Sequence, residues 1–220
     1  MSALADIVAS LWQGALVSLT LFTTTILGAV PLGIGIAAAG KSRRKWVVHA
    51  VRVYLWMFRG TPLMLQLFFF LYGLPELGIR LDRMMVAVLA FVVNYAAYFA
   101  EIVRAGMDSI DPEQSEAAAV LGATKGEIFR YIVLPQALRR QLPTIANEAV
   151  TLIKDTALVT VIAISDLLRQ VKEIVSRDFT VTPFFVAAAF YLVVSFVIDR
   201  VFRRLEKGDT QGLVSMVSTE

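Results

Sequence analysis

The most constraining feature of this chain is an apolar stretch of 34 residues, Ile7–Gly40, that contains no charged side chain. The hydrocarbon core of a bilayer is about 30 Å thick, and roughly 20 apolar residues of α-helix cross it. We therefore predict a spanning helix at about 16–39, after an interfacial lead-in near Ile7–Gln13. Composition agrees with a membrane protein, because 57% of the 220 residues are hydrophobic and only 18% are charged.

Four more apolar runs of bilayer length follow the first one, and the sequence shows no second soluble domain. We predict an all-α membrane protein with five transmembrane helices in a single domain, 1–207, followed by a polar C-terminal tail, 208–220. The longest loop, 108–142, separates the third span from the fourth. The predicted spans are 16–39, 50–74, 84–107, 143–167 and 183–202.

The distribution of Lys and Arg predicts the orientation, because cytoplasmic loops retain the positive residues. With the N-terminus outside, most of the 21 Lys and Arg fall on the inner side. The outer side receives Arg80, Arg83, Arg169, Lys172 and Arg177, and two further residues, Arg59 and Lys154, lie within spans. The sequence therefore predicts an N-out, C-in topology.

Composition also restricts the chemistry of this chain. It contains no cysteine and one histidine, His49, so disulfides, thiol nucleophiles and zinc sites built from cysteine are excluded. The net charge of +3 is small, and the positive residues flank apolar runs instead of forming one basic patch, which argues against nucleic acid as a partner. We expect no metal, cofactor or catalytic residue in this chain.

Residues 35–42 match the Walker A phosphate-loop pattern letter for letter. A phosphate loop follows a buried strand and opens a helix inside a soluble α/β domain, where its amides surround phosphate groups. Here the preceding residues form a bilayer-length apolar run. We therefore interpret Gly35–Ser42 as the end of a helix before a positive loop, and we expect another chain to hydrolyse ATP.

The longest loop carries explicit helix-capping signals. Asp111 fits an N-cap, the proline after it fits the first helical position, and Gly122 fits the C-terminal end. These signals predict a helix over Pro112–Leu121. A capping box formed by Thr124 and Glu127 predicts the start of a further helix. A short capped helix that projects from a membrane protein is suited to docking a partner.

The same loop resembles the EAA-x3-G-x9-I-x-L-P signature of ABC importer permeases. The fixed positions all match at the family's spacing, at Glu116, Ala117, Ala118, Gly122, Ile132, Leu134 and Pro135. The resemblance implies a type I importer permease fold, in which the short helix is a coupling helix that sits in a cleft of a cytoplasmic ATPase. It assigns ATPase coupling to Glu116, Ala117, Ala118 and Gly122, and it places ATP and Mg²⁺ on the partner chain.

Ionisable side chains lie inside the predicted spans at Arg59, Glu148, Lys154 and Asp155. Such a group costs about 2.5–3.5 kcal/mol at the bilayer centre on insertion scales, so it needs a partner or a wet cavity. Arg59 precedes Gly60–Pro62, a sequence that favours a broken helix. Glu148 and Asp155 are two helical turns apart, which places them on one face, about 10.5 Å apart along the axis.

Two interpretations of these charges stay open. In the functional one, the carboxylates bind the ammonium group and a cationic side chain of an amino acid, while Arg59 or a backbone amide of the broken helix binds its α-carboxylate. In the architectural one, Lys154 or another buried cation neutralises Asp155, and Arg59 pairs with Glu101. A neutral or acidic amino acid fits the same span if Lys154 faces inward.

The wider sequence is similar to the polar amino acid permeases, the uptake family for histidine, glutamate, glutamine, arginine and opines. The matching segments are Phe58–Leu63 with Gln66, Tyr98–Gly106, and Asn147-Glu148 with Lys154–Thr156. The resemblance implies that Glu148 and Asp155 contact the substrate. We add four further candidates for substrate binding: Arg59, Thr61, Gln66 and Asn94.

The resemblance implies a permease subunit of an ATP-driven importer in the bacterial cytoplasmic (inner) membrane. Two carboxylates favour a cationic L-amino acid (arginine, lysine, ornithine or histidine), with glutamine, glutamate or cystine as alternatives. The implied partners are a cytoplasmic ABC ATPase dimer, a second permease subunit in a homodimer or heterodimer, and an extracytoplasmic amino-acid-binding protein. The competing class is a self-sufficient ion-coupled carrier, which has no need of a docking helix.

Overall fold

The computed structural model describes the backbone of residues 2–217 and the side chains of residues 7–206. This part of the chain consists of helices joined by short turns and contains no strand. A π-helical stretch, Ile128–Val133, joins α6 to α7, and a 3-10 stretch, Thr156–Ile162, follows α8. The α-helices are α1 (Ser2–Gly40), α2 (Lys45–Gly60), α3 (Leu63–Glu76), α4 (Arg83–Asp108), α5 (Pro112–Val120), α6 (Lys125–Glu127), α7 (Leu134–Arg140), α8 (Leu142–Asp155), α9 (Leu167–Asp178) and α10 (Thr182–Val217).

Within the described residues, three helices are long and apolar enough to cross a membrane: α1 from Ile7, α4, and α10 as far as Glu206. The helices α2 and α3 qualify as a fourth span only when they are counted together, and they meet at an angle of 106°. The predicted span at 143–167 is not one regular helix. It consists of α8, with 14 residues, and the 3-10 stretch that ends at the left-handed Ala163.

The two ends of the described chain differ in detail from the expected boundaries. The interfacial lead-in expected at Ile7–Gln13 belongs to the continuous helix α1, because that segment contains neither proline nor glycine to end a helix. The backbone of α10 continues to Val217, through most of the predicted polar tail. The last three residues of that tail, 218–220, lie outside the described residues.

The apparent phosphate loop is helical, as the sequence context indicates. Gly35 and Gly40 both lie in α1, and the helix ends with a turn in which the Lys41 amide donates to the Ala38 carbonyl at 3.1 Å. The amides between the two glycines are therefore hydrogen-bonded within a helix. They are not free to surround phosphate groups, which confirms that the Walker A match is accidental.

Close packing of α1 against α4 organises the helical assembly. The small residues Ala90, Ala96 and Ala100 of α4 are fully buried, and small residues let membrane helices approach closely. At Gly33 of α1, an added Cβ would lie 2.8 Å from the Cβ of Phe99, so a larger residue would push the two helices apart. This contact places the opposite face of α4 against α2, α3 and α8, where the candidate site lies.

Candidate functional site

The predicted helix break is present between α2 and α3. Thr61 and Pro62 are extended, with φ and ψ of −120° and 143° for Thr61 and −62° and 134° for Pro62. Proline disfavours a helical conformation at the residue before it, and it has no N–H to donate to the carbonyl four residues earlier, that of Phe58. The local sequence therefore ends α2 and leaves backbone carbonyls without helical partners.

Two buried amide side chains satisfy these carbonyls. Gln66 Nε2 donates to the carbonyl oxygens of Phe58 at 3.0 Å and Thr61 at 3.1 Å. Asn94 Nδ2, from α4, donates to the Phe58 carbonyl at 3.0 Å and to Gln66 Oε1 at 3.0 Å. Gln66 and Asn94 are 7% and 3% exposed. We call this pair the amide clamp, because it attaches the helix break to α4.

We expect Gln66→Leu to lower the apparent melting temperature of the purified protein by several degrees. The variant leaves buried carbonyls and the Asn94 amide unpaired, at a cost of about 1–3 kcal/mol, and about 1 kcal/mol corresponds to roughly 2–4 °C in a chain of this size. Thermal unfolding in detergent measures the shift. The control is Gln13→Leu, which replaces an exposed glutamine of α1. Equal shifts in the two variants would show that the clamp adds no stability.

A cavity of about 540 Å³ lies between the helix break, α4 and α8. We call it the acidic cavity, because among the described residues it is lined by two carboxylates, Glu148 and Asp155, and one guanidinium, Arg59. Thr61 and Asn94 also line it, whereas Gln66 lies behind the wall as part of the amide clamp. The remaining lining residues are Gly60, Pro62, Leu63, Met64, Tyr95, Tyr98, Thr151 and Leu158.

Tyr95 holds one of the two carboxylates and was missed by the sequence analysis. Its hydroxyl donates to Asp155 Oδ2 at 2.7 Å, and the residue is 2% exposed. The ring lies 6.2 Å from Phe91 and 6.1 Å from Tyr98, measured between ring centroids. These contacts orient the Asp155 carboxylate towards the cavity. In the sequence, Tyr95 is one of several aromatic residues with helical spacing, a pattern that equally well indicates core packing.

Arg59 makes the contact named in the architectural interpretation. Its Nη1 lies 3.6 Å from Glu101 Oε2, and its guanidinium carbon lies 5.8 Å from the centroid of the Tyr98 ring. The second contact of that interpretation is not seen in the described residues. Lys154 is exposed, does not line the acidic cavity, and forms no ion pair with Asp155. Arg59 is therefore paired on one side, whereas no cationic side chain of residues 7–206 forms an ion pair with Glu148 or Asp155.

The capped helix predicted in the long loop is present as α5, and it is one residue shorter than expected. The Asp111 side chain accepts from the Glu113 amide at 2.9 Å, and Gly122 ends the helix with a φ of +89°. The capping box of Thr124 and Glu127 is also present. Donation from the Thr124 hydroxyl and amide lowers the pKa of Glu127 below its usual value. Both capping predictions are confirmed.

The solvent-facing surface of α5 differs from the surface that the motif suggests. Glu116 and Ala117 are exposed, but Ala118 is buried against the rest of the chain. The most exposed large apolar side chains at the end of α5 lie in the spacer of the motif, between Ala118 and Gly122: Val120 and Leu121 are 87% and 88% exposed. Both residues belong to the stretch Glu116–Gly122, to which the resemblance assigns the coupling role.

A comparison with protein families identifies the chain. The model of the binding-protein-dependent transport system inner membrane component matches residues 29–208, which include the helix break, the acidic cavity and the loop that carries α5. This chain belongs to that family. The resemblance inferred from the loop motif is therefore confirmed, and the protein is an inner-membrane permease subunit, a component of a transport system.

Curated permeases of this family match almost the whole chain. The glutamine transport system permease protein of Escherichia coli (strain K12) is 35% identical over 199 residues, which cover 89% of this chain and 90% of that protein. The arginine transport system permease protein of Bacillus subtilis (strain 168) is 34% identical over 203 residues, which cover 90% of this chain and 93% of that protein. The similarity therefore extends over both the acidic cavity and the loop.

Solved structures show the same fold. The crystal structure of an amino acid ABC transporter with histidines contains a chain that is 32% identical and superimposes with a TM-score of 0.83, over 93% of this permease and 96% of that chain. A chain of the MetNI methionine ABC transporter in an inward facing conformation superimposes with a TM-score of 0.75 at 17% identity, which shows the fold alone. The permease therefore has the type I ABC importer fold.

Proposed function

We propose that this permease belongs to an ATP-driven importer of polar L-amino acids and prefers a cationic one, such as arginine, lysine, ornithine or histidine. The observation that carries the proposal is the acidic cavity, where two carboxylates on one face of α8 lie near a single guanidinium at the helix break. Its volume of about 540 Å³ is in the usual range for small-molecule sites. The relatives named for arginine and glutamine transport support an amino acid as the substrate.

Each charged group of such a substrate has a complementary partner in the cavity. A guanidinium binds a carboxylate through two parallel hydrogen bonds, so Arg59 receives the α-carboxylate. Glu148 and Asp155, about 10.5 Å apart along the helix axis, receive the α-ammonium group and a cationic side chain. Because Lys154 lies outside the lining, one carboxylate remains for a positive side chain, and this favours cationic over neutral amino acids.

Gln66, Asn94 and Tyr95 serve the site as positioning residues in this proposal. Both N–H groups of the Asn94 amide are engaged in the amide clamp, and Gln66 lies outside the lining. Their role is to hold the helix break open, so that Arg59 and Thr61 face the cavity. Tyr95 keeps the Asp155 carboxylate directed towards the substrate through its hydrogen bond.

The proposed topology has five crossings, with the N-terminus outside and the C-terminus inside, in one transmembrane domain over residues 1–207. The pair α2 and α3 makes the second crossing, and α8 with the 3-10 stretch makes the fourth. The excess of Lys and Arg on the side of the α5 loop supports this orientation. An irregular backbone at membrane depth is acceptable where it lines a cavity, as the helix break and the end of α8 do.

The proposed partners are a cytoplasmic ATPase dimer, a second permease subunit and an extracytoplasmic amino-acid-binding protein. The α5 loop is the contact with the ATPase, through Glu116, Ala117 and Gly122 together with the exposed Val120 and Leu121. ATP and Mg²⁺ bind to the ATPase in this proposal, and the permease itself holds no cofactor.

A glutamine permease is the second candidate, and one observation favours it. The glutamine transport system permease protein of Escherichia coli (strain K12) is similar to this chain, at 35% identity. A neutral amino acid leaves one carboxylate of the cavity unpaired. An ion-coupled carrier has less support than either candidate, because the chain belongs to a family of binding-protein-dependent components.

Equilibrium binding tests the substrate preference. We expect labelled arginine to bind to the purified permease–ATPase complex without the binding protein, and unlabelled lysine, ornithine or histidine to displace it. Glutamine and glutamate at the same concentrations should not displace it, because they leave a cavity carboxylate unpaired. Tighter binding of glutamine than of arginine would favour the second candidate instead.

A further inference from the structure

A second cavity of about 610 Å³ meets the acidic cavity at the helix break. Arg59 and Gly60 line both cavities. One face of α2 lines the second cavity from Gly60 back to Val48, a length of about 18 Å at the helical rise. The cavity therefore extends from the substrate site towards Gly40 and the basic segment that follows it.

The sign of the charge reverses between the two cavities. The acidic cavity has two carboxylates and one guanidinium. Among the described residues, the second cavity is lined by three guanidiniums, Arg52, Arg59 and Arg104, and one carboxylate, Glu101. We call it the basic cavity. A cavity of this charge attracts carboxylates and repels the cationic side chain that the acidic cavity retains.

The guanidiniums of the basic cavity are not equally available. Arg104 is bound to Glu101 at 2.5 Å and to Asp108 at 2.6 Å, and Arg59 is paired with Glu101 at 3.6 Å. Arg52 is exposed and has no ion pair with any described residue. It lies two helical turns from Arg59 on the same face of α2, about 10.5 Å away along the axis.

We propose that the basic cavity is an exit subsite for the transported amino acid, in which Arg52 receives the α-carboxylate. The ion pair between Arg59 and Glu101 stands between this subsite and the acidic cavity. When the pair separates, the carboxylate moves from Arg59 to Arg52, and the repelled cationic side chain leaves towards the cytoplasm. The inference rests on the proposed import of amino acids, but it uses only the carboxylate that all α-amino acids share.

A single engineered thiol tests the exit subsite. The permease contains no cysteine, so Val51→Cys places one thiol in the basic cavity, and Val53→Cys places the control on another face of α2. Inside-out vesicles that contain the complete importer are treated with one of two methanethiosulfonate reagents. One reagent carries an anionic sulfonate group, and the other carries a cationic trimethylammonium group. Mass spectrometry of the intact permease measures the modified fraction over time, which gives the reaction rate. The rate for each reagent is divided by the rate of that reagent with free cysteine.

We expect Val51→Cys to react much faster than Val53→Cys, and to prefer the anionic reagent. Saturating arginine on the cytoplasmic side should slow the reaction at Val51→Cys severalfold. In the same background, Arg52→Gln should remove both the anion preference and the protection, whereas Arg52→Lys should retain the anion preference.

Two outcomes would overturn the exit subsite. A thiol at position 51 as unreactive as that at position 53 would show that lipid or a neighbouring chain fills the cavity. A reactive thiol that no amino acid protects would show a water-filled cavity without a binding role. Protection by glutamine as well as arginine leaves the exit subsite intact, because the cationic preference is decided separately by the binding experiment.

Discussion

Uptake by the reconstituted importer is expected to fall by roughly 30-fold or more when Asp155 is replaced by asparagine, and by a similar factor for Glu148→Gln. Removal of one partner from a buried, hydrogen-bonded charge pair costs about 2–5 kcal/mol, and about 1.4 kcal/mol corresponds to a factor of ten. Both carboxylates line the acidic cavity. Initial rates of arginine uptake into proteoliposomes, at a concentration well below saturation, measure the loss.

The matched control for these variants is Asp199→Asn. Asp199 lies on α10 and pairs with Arg203 at 2.8 Å, and it does not line the cavity. Uptake by this variant should stay within about twofold of the unmodified importer, because Asp199 does not line the cavity in which the substrate binds. If both cavity variants transported as well as the control, the substrate site would lie in the second permease subunit.

Substrate-stimulated ATP hydrolysis is expected to be lost in Gly122→Asp, although the permease still inserts into the membrane. Gly122 has a φ of +89°, a conformation that costs a residue with a side chain about 1–2 kcal/mol. The new carboxylate also lies beside the exposed Leu121, where docking to the ATPase would bury it without a partner at a cost of several kcal/mol. ATPase assays of the reconstituted complex, with and without substrate-loaded binding protein, measure the coupling.

Gly126→Asp is the control for this prediction, because it adds the same carboxylate to the same loop. Gly126 lies in α6 without a positive φ, and an added Cβ there meets nothing within 4 Å. We expect its stimulated hydrolysis to remain close to that of the unmodified complex. An equal loss in both variants would point to a general effect of charge in the loop, and unchanged stimulation in Gly122→Asp would remove the coupling role of α5.

Features that depend on neighbouring residues were predictable from the sequence. The ends of α5 lie within one residue of the prediction, because an aspartate cap, a proline and a glycine act on the backbone next to them. The break at Pro62 was predictable for the same reason. The π-helical stretch at Ile128–Val133 was not expected, because no residue in it signals a change of helical pitch.

The candidate site was predictable only where its residues share a helix. The placement of Glu148 and Asp155 on one face follows from helical periodicity, and both residues line the acidic cavity. The bond from Tyr95 to Asp155 joins residues 60 positions apart in the chain, and the bond from Asn94 to Phe58 joins residues 36 apart. Such contacts depend on the distance and angle between helices, and no local pattern encodes either quantity.

Apolar runs, caps and breakers were enough to predict a helical membrane protein with a short capped helix in its longest loop, because hydrophobicity and backbone capping act over one or two helical turns. The permease family itself was indicated by the resemblance of that loop to the EAA signature. The assembled helices decided that Lys154 stays outside the acidic cavity, that Arg59 meets Glu101, and that an acidic and a basic cavity share one arginine. The reason is physical. A charged side chain acquires its partners from whichever helix packs beside it, and the close approach of α1, α2 and α8 to α4 determines which helix that is.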